Sequence, residues 1–97
     1  MNQSATNIAK EDISQFRFRG EDVLATDKAG RAIRNAALQR AERLGNAFHG
    51  KVKITFQAAN AMLHEVQTTV WSASEDYVCL KGGVILPVKA ISVVDFS

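Results

Sequence analysis

The sequence predicts an α+β fold, in which one N-terminal helix precedes a four- to five-stranded antiparallel meander that curls into a small barrel. Residues 28–44 repeat apolar side chains at helical spacing, and residues 52–58 alternate strictly between apolar and polar side chains. Alternation with a period of two is typical of a strand with one buried face. Turn-forming residues then separate further apolar runs at 66–71, 77–80, 84–88 and 91–96, which favours a meander of short strands.

The length of 97 residues indicates one domain. We expect a polar, partly mobile arm over residues 1–25 and a helix-plus-barrel domain over residues 26–97. A single cysteine, Cys79, excludes an intramolecular disulfide and is typical of a reducing compartment. No apolar run approaches the roughly 18 residues of a membrane span, and the polar N-terminus lacks the pattern of a secretory signal. We therefore expect a cytoplasmic protein with no membrane partner.

The predicted helix begins after an N-cap at Thr26 or Asp27 and ends at Gly45, because glycine adopts the left-handed conformation of a helix end. Its apolar side chains fall within one arc of about 120°, the width of a buried stripe. That stripe contains Ala29, Ile33, Ala36, Ala37, Ala41, Leu44 and Phe48. Arg40 lies inside the same arc. Either its stem packs while the guanidinium reaches water, or it forms a buried pair, with Glu65 the first candidate.

The later strands are apolar on both faces. A hairpin closed at Gly82-Gly83 would place Leu80 opposite Ile85, and one closed at 73–75 would place Trp71 opposite Tyr77. One face then carries Val66, Thr68, Val70, Val78, Leu80, Ile85 and Pro87, and the other carries Thr69, Trp71, Tyr77, Cys79, Val84, Leu86 and Val88. Both faces need cover, so we expect the sheet to curl around one face and the helix to lie over part of the other.

A brief turn at Pro87-Val88-Lys89-Ala90-Ile91 re-aims the chain into the last strand. With this turn, the order of a helix and five short strands resembles SH3-like and Sm-type small β-barrels over residues 28–96. The segment Leu80-Lys81-Gly82-Gly83-Val84 is similar to the glycine hairpin of the second Sm-type motif. The resemblance implies a small curled barrel. It carries over no binding residues, because those by which Sm-type proteins hold uridine-rich RNA are not recognisable in this chain.

No combination of residues predicts an enzyme. Glu75 and Asp76 are adjacent and point to opposite faces of an extended chain, and no Gly-x-Ser-x-Gly elbow frames a serine. Gly82-Gly83 lacks the lysine and hydroxyl of a phosphate-binding loop. His49, His64 and Cys79 match no familiar spacing of zinc ligands. We therefore expect no catalytic residues, no cofactor and no bound metal.

Basic residues concentrate between positions 28 and 53, where seven of them face one acidic residue, Glu42. Such an excess indicates either an ordinary solvated helix face or a nucleic-acid footprint. The candidate ligands of a phosphate backbone are Lys28, Arg31, Arg34, Arg43, Lys51 and Lys53. Trp71, Tyr77, Phe16 and Phe18 could add stacking platforms for unpaired bases.

Trp71 and Tyr77 share a predicted apolar face that either lies under the chain's own helix or binds a partner. The leading hypothesis is a non-catalytic binding or assembly module that associates with other proteins, including itself, through this face or an edge strand. The alternative is a module that binds single-stranded nucleic acid, most simply RNA, through the basic helix face and first strand.

Overall fold

The computed structural model describes residues 5–96, which form an α+β fold of one long helix and two sheets. The helix, α1, spans Lys28–Phe48. The strands are β1 (Thr6–Asn7), β2 (Val52–Gln57), β3 (Leu63–Thr68), β4 (Val70–Ala73), β5 (Tyr77–Leu80), β6 (Val84–Pro87) and β7 (Ile91–Asp95). Short 3-10 helices occupy Lys10–Gln15 and Val88–Ala90.

The first sheet has the strand order β1-β3-β2-β7, and the second has the order β4-β5-β6. All pairs are antiparallel except β1 with β3. Thr69 alone separates β3 from β4, so one bent stretch of chain serves both sheets. The α+β class and the antiparallel strands are confirmed. The strands do not form one continuous meander, because β7 pairs with β2 rather than with β6. Among the described strands no closed barrel is found, so the predicted barrel is not confirmed.

The strict alternation over residues 52–58 produces the expected half-buried strand. Val52, Ile54 and Phe56 are at most 1% exposed and form part of the core between the two sheets. Lys53 and Thr55 point to the outer face, where polar residues of β3 lie opposite them. The first sheet therefore has one buried face and one largely polar face, as an antiparallel sheet at the surface requires.

The helix buries a different face from the one predicted. Its buried residues are Arg34, Leu38, Ala41 and Gly45, whereas Ile33 and Phe48 are 71% and 77% exposed. The predicted stripe is thus wrong by about one residue step, or ~100° of rotation. Ala41 belongs to both faces, and Gly45 explains the difference, because its missing side chain allows α1 to approach the second sheet closely. An added Cβ at Gly45 would collide with the Val70 carbonyl oxygen.

The helix begins as predicted and ends later. Asp27 is the N-cap, since its carboxylate accepts a hydrogen bond from the Gly30 amide at 2.8 Å. The predicted stop at Gly45 is wrong, because α1 continues to Phe48 and His49 takes the left-handed cap conformation with a φ of 54°.

The hairpin between β5 and β6 has a register one residue away from the prediction. Its loop contains Lys81 as well as the two glycines, so Leu80 lies opposite Val84 and Cys79 lies opposite Ile85. A shift of one residue moves every side chain to the other face. Ile85 therefore joins Cys79 on the outer face of the second sheet. The predicted pairing of Trp71 with Tyr77 is also wrong, because a bulge at Trp71 places Ser72 opposite Cys79.

Described residues of the N-terminal segment, where we expected a partly mobile arm, pack against the body. β1 pairs with β3, Ile13 is 1% exposed within the core, and Phe16 and Phe18 lie beside the Phe56 ring. No helix of the described residues combines the length and apolarity needed to cross a membrane.

Candidate functional site

The outer face of the second sheet is apolar. Val78, Leu80 and Leu86 are fully buried, so their strand neighbours point to the opposite side of the sheet. We call this opposite side the β4–β6 face; it consists of Trp71, Ser72, Tyr77, Cys79, Ile85 and Pro87.

The large side chains of the β4–β6 face are open to solvent. Trp71 is 48% exposed, Tyr77 is 54% exposed and Ile85 is 51% exposed. Each belongs to a different strand of the same three-stranded sheet, so the exposed apolar surface crosses the whole sheet. Cys79 and Pro87 are partly buried between them.

The expectation that the helix covers part of this face is wrong. Instead, α1 lies along the edge of β4. The Ala73 amide donates to a Glu42 carboxylate oxygen at 3.1 Å, and Gln39 Nε2 donates to the Ala73 carbonyl at 3.4 Å. The helix thus satisfies backbone groups at a sheet edge, which would otherwise attract another strand. Within residues 5–96, this position leaves the β4–β6 face without cover.

The loops at the two ends of β5 bound the face. At one end, Ser74 closes a turn, because its hydroxyl accepts from the Tyr77 amide at 3.2 Å and donates to the Tyr77 carbonyl at 3.0 Å. This turn presents the exposed residues Glu75 and Asp76. At the other end, the Lys81 amide donates to the Thr69 carbonyl at 2.9 Å, which fixes a loop with positive φ at both glycines. The face therefore lies between two well-defined turns.

The structure does not bring the six basic residues together on one surface. Arg34, predicted on the polar half of the helix, is 4% exposed and paired with Asp22. Arg31 Nη1 donates to the Leu24 and Ala25 carbonyls at 2.8 and 2.6 Å. Both arginines thus hold the segment that precedes α1. The remaining four are Lys28, Arg43 and Lys51, which are exposed, and Lys53, which is half-buried on the first sheet.

Asp22 is the residue of this region that the sequence reasoning missed. The Arg34 guanidinium hydrogen-bonds its carboxylate and holds the pKa of Asp22 below its usual value, and the Leu24 amide adds to this effect. A pocket of about 270 Å³ lies beside the pair, between the 3-10 helix Val88–Ala90 and the β4–β5 loop. Its lining includes Glu75, Asp76, Tyr77 and Lys89. No local spacing links Asp22 to Arg34, so no motif could have found the pair.

Two other sequence-based expectations concern single residues. Arg40 is exposed, and its guanidinium carbon lies 4.3 Å from the centre of the Phe96 ring, so the buried pair with Glu65 is not formed. His64 stacks against Phe16 with ring centroids 4.4 Å apart, and both of its ring nitrogens are buried without a hydrogen-bond partner among the described residues. Nowhere in residues 5–96 do three or more His, Cys, Asp or Glu side chains form a group that could hold a metal.

The fold and this face define a small α+β protein with an uncovered apolar sheet surface. No protein-family model, curated protein or solved structure matches the chain. The functional proposal therefore rests on the geometry of the β4–β6 face.

Proposed function

We propose that this protein is a non-catalytic association module that binds protein partners, including copies of itself, through the β4–β6 face. The observation that carries the proposal is the alignment of Trp71, Tyr77 and Ile85 on one sheet face, each about half exposed. Contiguous apolar patches on soluble proteins mark interaction sites more often than scattered apolar residues do. Tryptophan and tyrosine are also the residue types that most often dominate the free energy of binding at interfaces.

The size of the face favours reversible association. Three strands about 4.8 Å apart and four residues long form a compact patch rather than an extended interface. Interfaces below about 1,200 Å² of total buried surface are typical of transient complexes. We therefore expect an equilibrium that depends on protein concentration, with the two aromatic side chains contributing most of the affinity.

The strand arrangement supports, as part of this proposal, an SH3-like architecture. The bent β3–β4 stretch contributes to both sheets, and a 3-10 turn at Val88–Ala90 directly precedes the last strand. We interpret the two sheets as the halves of a small barrel that stays open. In such a scaffold the function lies in the surface that it presents rather than in the fold.

The test is the mass in solution between about 10 µM and 1 mM, measured by sedimentation equilibrium. We expect a mass that rises above the 10.6 kDa monomer for the native protein and stays at the monomer value for Trp71→Lys. Met62→Lys is the matched control, because Met62 is 47% exposed but lies in the β2–β3 connection, away from the face. If the native protein remains a monomer throughout, the proposal of self-association is wrong. If Trp71→Lys and Met62→Lys behave alike, the β4–β6 face is not the site of association.

Single-stranded nucleic-acid binding remains the alternative proposal, on a smaller set of residues. Arg43 and Lys51 are exposed near the C-terminal end of α1, whereas Arg31 and Arg34 already donate to protein acceptors. Binding through phosphates would weaken steeply with salt and would fall on the double change Arg43→Glu and Lys51→Glu. Absence of binding to mixed oligonucleotides at low salt would end this alternative.

A further inference from the structure

The two ends of the β4–β6 face carry opposite charges. Glu75 and Asp76 precede β5, and Lys81 follows it. An extended strand rises about 3.3 Å per residue, so Asp76 and Lys81 lie about 17 Å apart along the sheet. The central strand of the face thus has an acidic loop at one end and a lysine at the other.

Neighbouring charges reduce this polarity without cancelling it. Lys89 lines the same pocket as Glu75 and Asp76, so the acidic end holds two carboxylates and one ammonium group. Asp22 and Arg34 in that pocket neutralise each other. At the basic end, Lys10 approaches the β5–β6 loop but is paired with Glu11 at 2.7 Å. Glu42, which accepts from the Ala73 amide, adds a third carboxylate beside the acidic loop, so that end is negative on balance and the Lys81 end is positive.

We propose that the partner of the β4–β6 face is a second copy of this chain, packed face to face with antiparallel strands. This inference rests on the proposed function and specifies its partner. A two-fold axis between the two faces would run across the strands and pass β5 near Val78 and Cys79. It brings the Glu75 and Asp76 loop of each copy against Lys81 of the other. The same operation places each β5 over its mate, as an isologous interface requires.

Charge selects this orientation over the competing one. Two copies packed with parallel strands would bring acidic loop against acidic loop and lysine against lysine. Like charges across an interface disfavour a pairing, whereas complementary charges at the rim set its register. The apolar residues supply the attraction, and the loops decide the direction.

The position of Cys79 makes the geometry measurable. Cys79 is the only cysteine of the chain and lies at the centre of the face, between Ser72 and Ile85. Packed sheets lie about 10 Å apart, with side chains projecting into the gap. The two thiols of the proposed dimer therefore come within reach of a short bis-maleimide cross-linker, whose two rings each add one thiol.

The first experiment exchanges the charges. Variant A carries Lys81→Glu, and variant B carries Glu75→Lys with Asp76→Lys. We expect each variant alone to associate about fivefold more weakly than the native protein, because the rim contacts become repulsive. An equimolar mixture should regain native affinity as a heterodimer, since each altered loop then meets its complement. Native-like association of both separate variants, or no recovery on mixing, would overturn the proposed orientation.

The second experiment is cross-linking at a concentration where the native protein associates. The native chain should give a product of twice 10.6 kDa through Cys79. The control variant, Cys79→Ser with Met62→Cys, should associate but give no cross-linked product under the same conditions, because Met62 lies away from the face. If Trp71→Lys abolishes association but charge exchange and cross-linking both fail, the orientation is wrong and the proposed function stands. If the native protein never associates with itself, the proposed dimer is wrong. Trp71→Lys then tests only whether the β4–β6 face binds a different protein.

Discussion

The guanidinium of Arg34 and the carboxylate of Asp22 form a bidentate ion pair, with Nη1–Oδ1 and Nη2–Oδ2 distances of 2.7 and 2.8 Å. Only 3% of the Arg34 side chain is exposed, and Nη1 also donates to the Ile91 carbonyl at 3.1 Å. The arginine thus joins α1 to β7 and to the segment before the helix. A buried guanidinium without such a partner would be strongly unfavourable. The pair with Asp22 therefore allows α1 to bury the side that carries Arg34.

Removal of the carboxylate should destabilise the fold. We expect Asp22→Ala to lower the free energy of unfolding by about 3 kcal/mol, because a buried charge is left unpaired. The double change Asp22→Ala with Arg34→Met should cost less than Asp22→Ala alone. Urea denaturation of the variants checks both values. A double variant less stable than Asp22→Ala would show that Arg34 contributes mainly through packing.

Acid should weaken the fold through the same carboxylate. The pKa of Asp22 is lowered in the folded state, chiefly by its hydrogen bond with Arg34. The stabilisation is therefore fully present above the unfolded value of about 4, and it is lost as the pH falls through the lower folded value. Urea denaturation from pH 6 to pH 2 should show a steeper loss of stability in the native protein than in Asp22→Asn. Parallel curves would contradict this assignment.

His64 is a polar ring in an aromatic cluster. Its ring nitrogens are buried without hydrogen-bond partners in the described structure, so an apolar replacement should not lose a bond. We expect His64→Leu to leave the free energy of unfolding unchanged or to raise it by about 1 kcal/mol. Thermal denaturation checks this, with Gln67→Leu on the exposed side of the same strand as the control. A loss of stability specific to His64→Leu would contradict this expectation and indicate that the ring contacts with Phe16 and Phe56 stabilise the fold.

Gly45 marks the closest approach of α1 to the second sheet. An added methyl group would meet the Val70 carbonyl and lie 2.9 Å from Thr69 Cγ2. Alanine favours a helix over glycine by about 1 kcal/mol, but the collision should outweigh this gain and leave Gly45→Ala about 1–3 kcal/mol less stable. Gly20→Ala is the control, because a methyl group added there would meet no described atom within 4 Å beyond its chain neighbours. Equal unfolding midpoints for the two variants would contradict the close contact.

The orientation of α1 can be tested with two apolar residues of similar size. Leu38 is 2% exposed, whereas Ile33 is 71% exposed. Leu38→Ala should lower the free energy of unfolding by about 2–5 kcal/mol, and Ile33→Ala should change it by less than about 0.5 kcal/mol. The stripe predicted from the sequence implies the reverse order, so chemical denaturation distinguishes the two orientations.

Local patterns were sufficient to locate most elements. The alternation from Val52 placed β2, the cap at Asp27 placed the start of α1, and the turn after Pro87 placed the last 3-10 helix. These features succeed because each depends on neighbours within a few residues.

Contacts between distant segments were not accessible in this way. Helical periodicity predicts Arg34 on the polar half of α1, yet its partner Asp22 lies on a separate segment and its acceptor Ile91 lies 57 residues away. The register of the β5–β6 hairpin depended on whether Lys81 belonged to the strand or the loop. That choice is coupled to the bond between the Lys81 amide and Thr69, the residue that precedes β4.

Residue order therefore specified a helix, a run of short strands and an apolar pair on one of their faces, since periodicity and turn chemistry act locally. Only packing in three dimensions selected the buried side of α1 and left the β4–β6 face open. The physical reason is that a helix packs on the side where its backbone can approach the sheet closely and where each buried charge is paired with an opposite charge. In this protein Gly45 and the Arg34–Asp22 pair meet both conditions on a side that the hydrophobic pattern did not indicate.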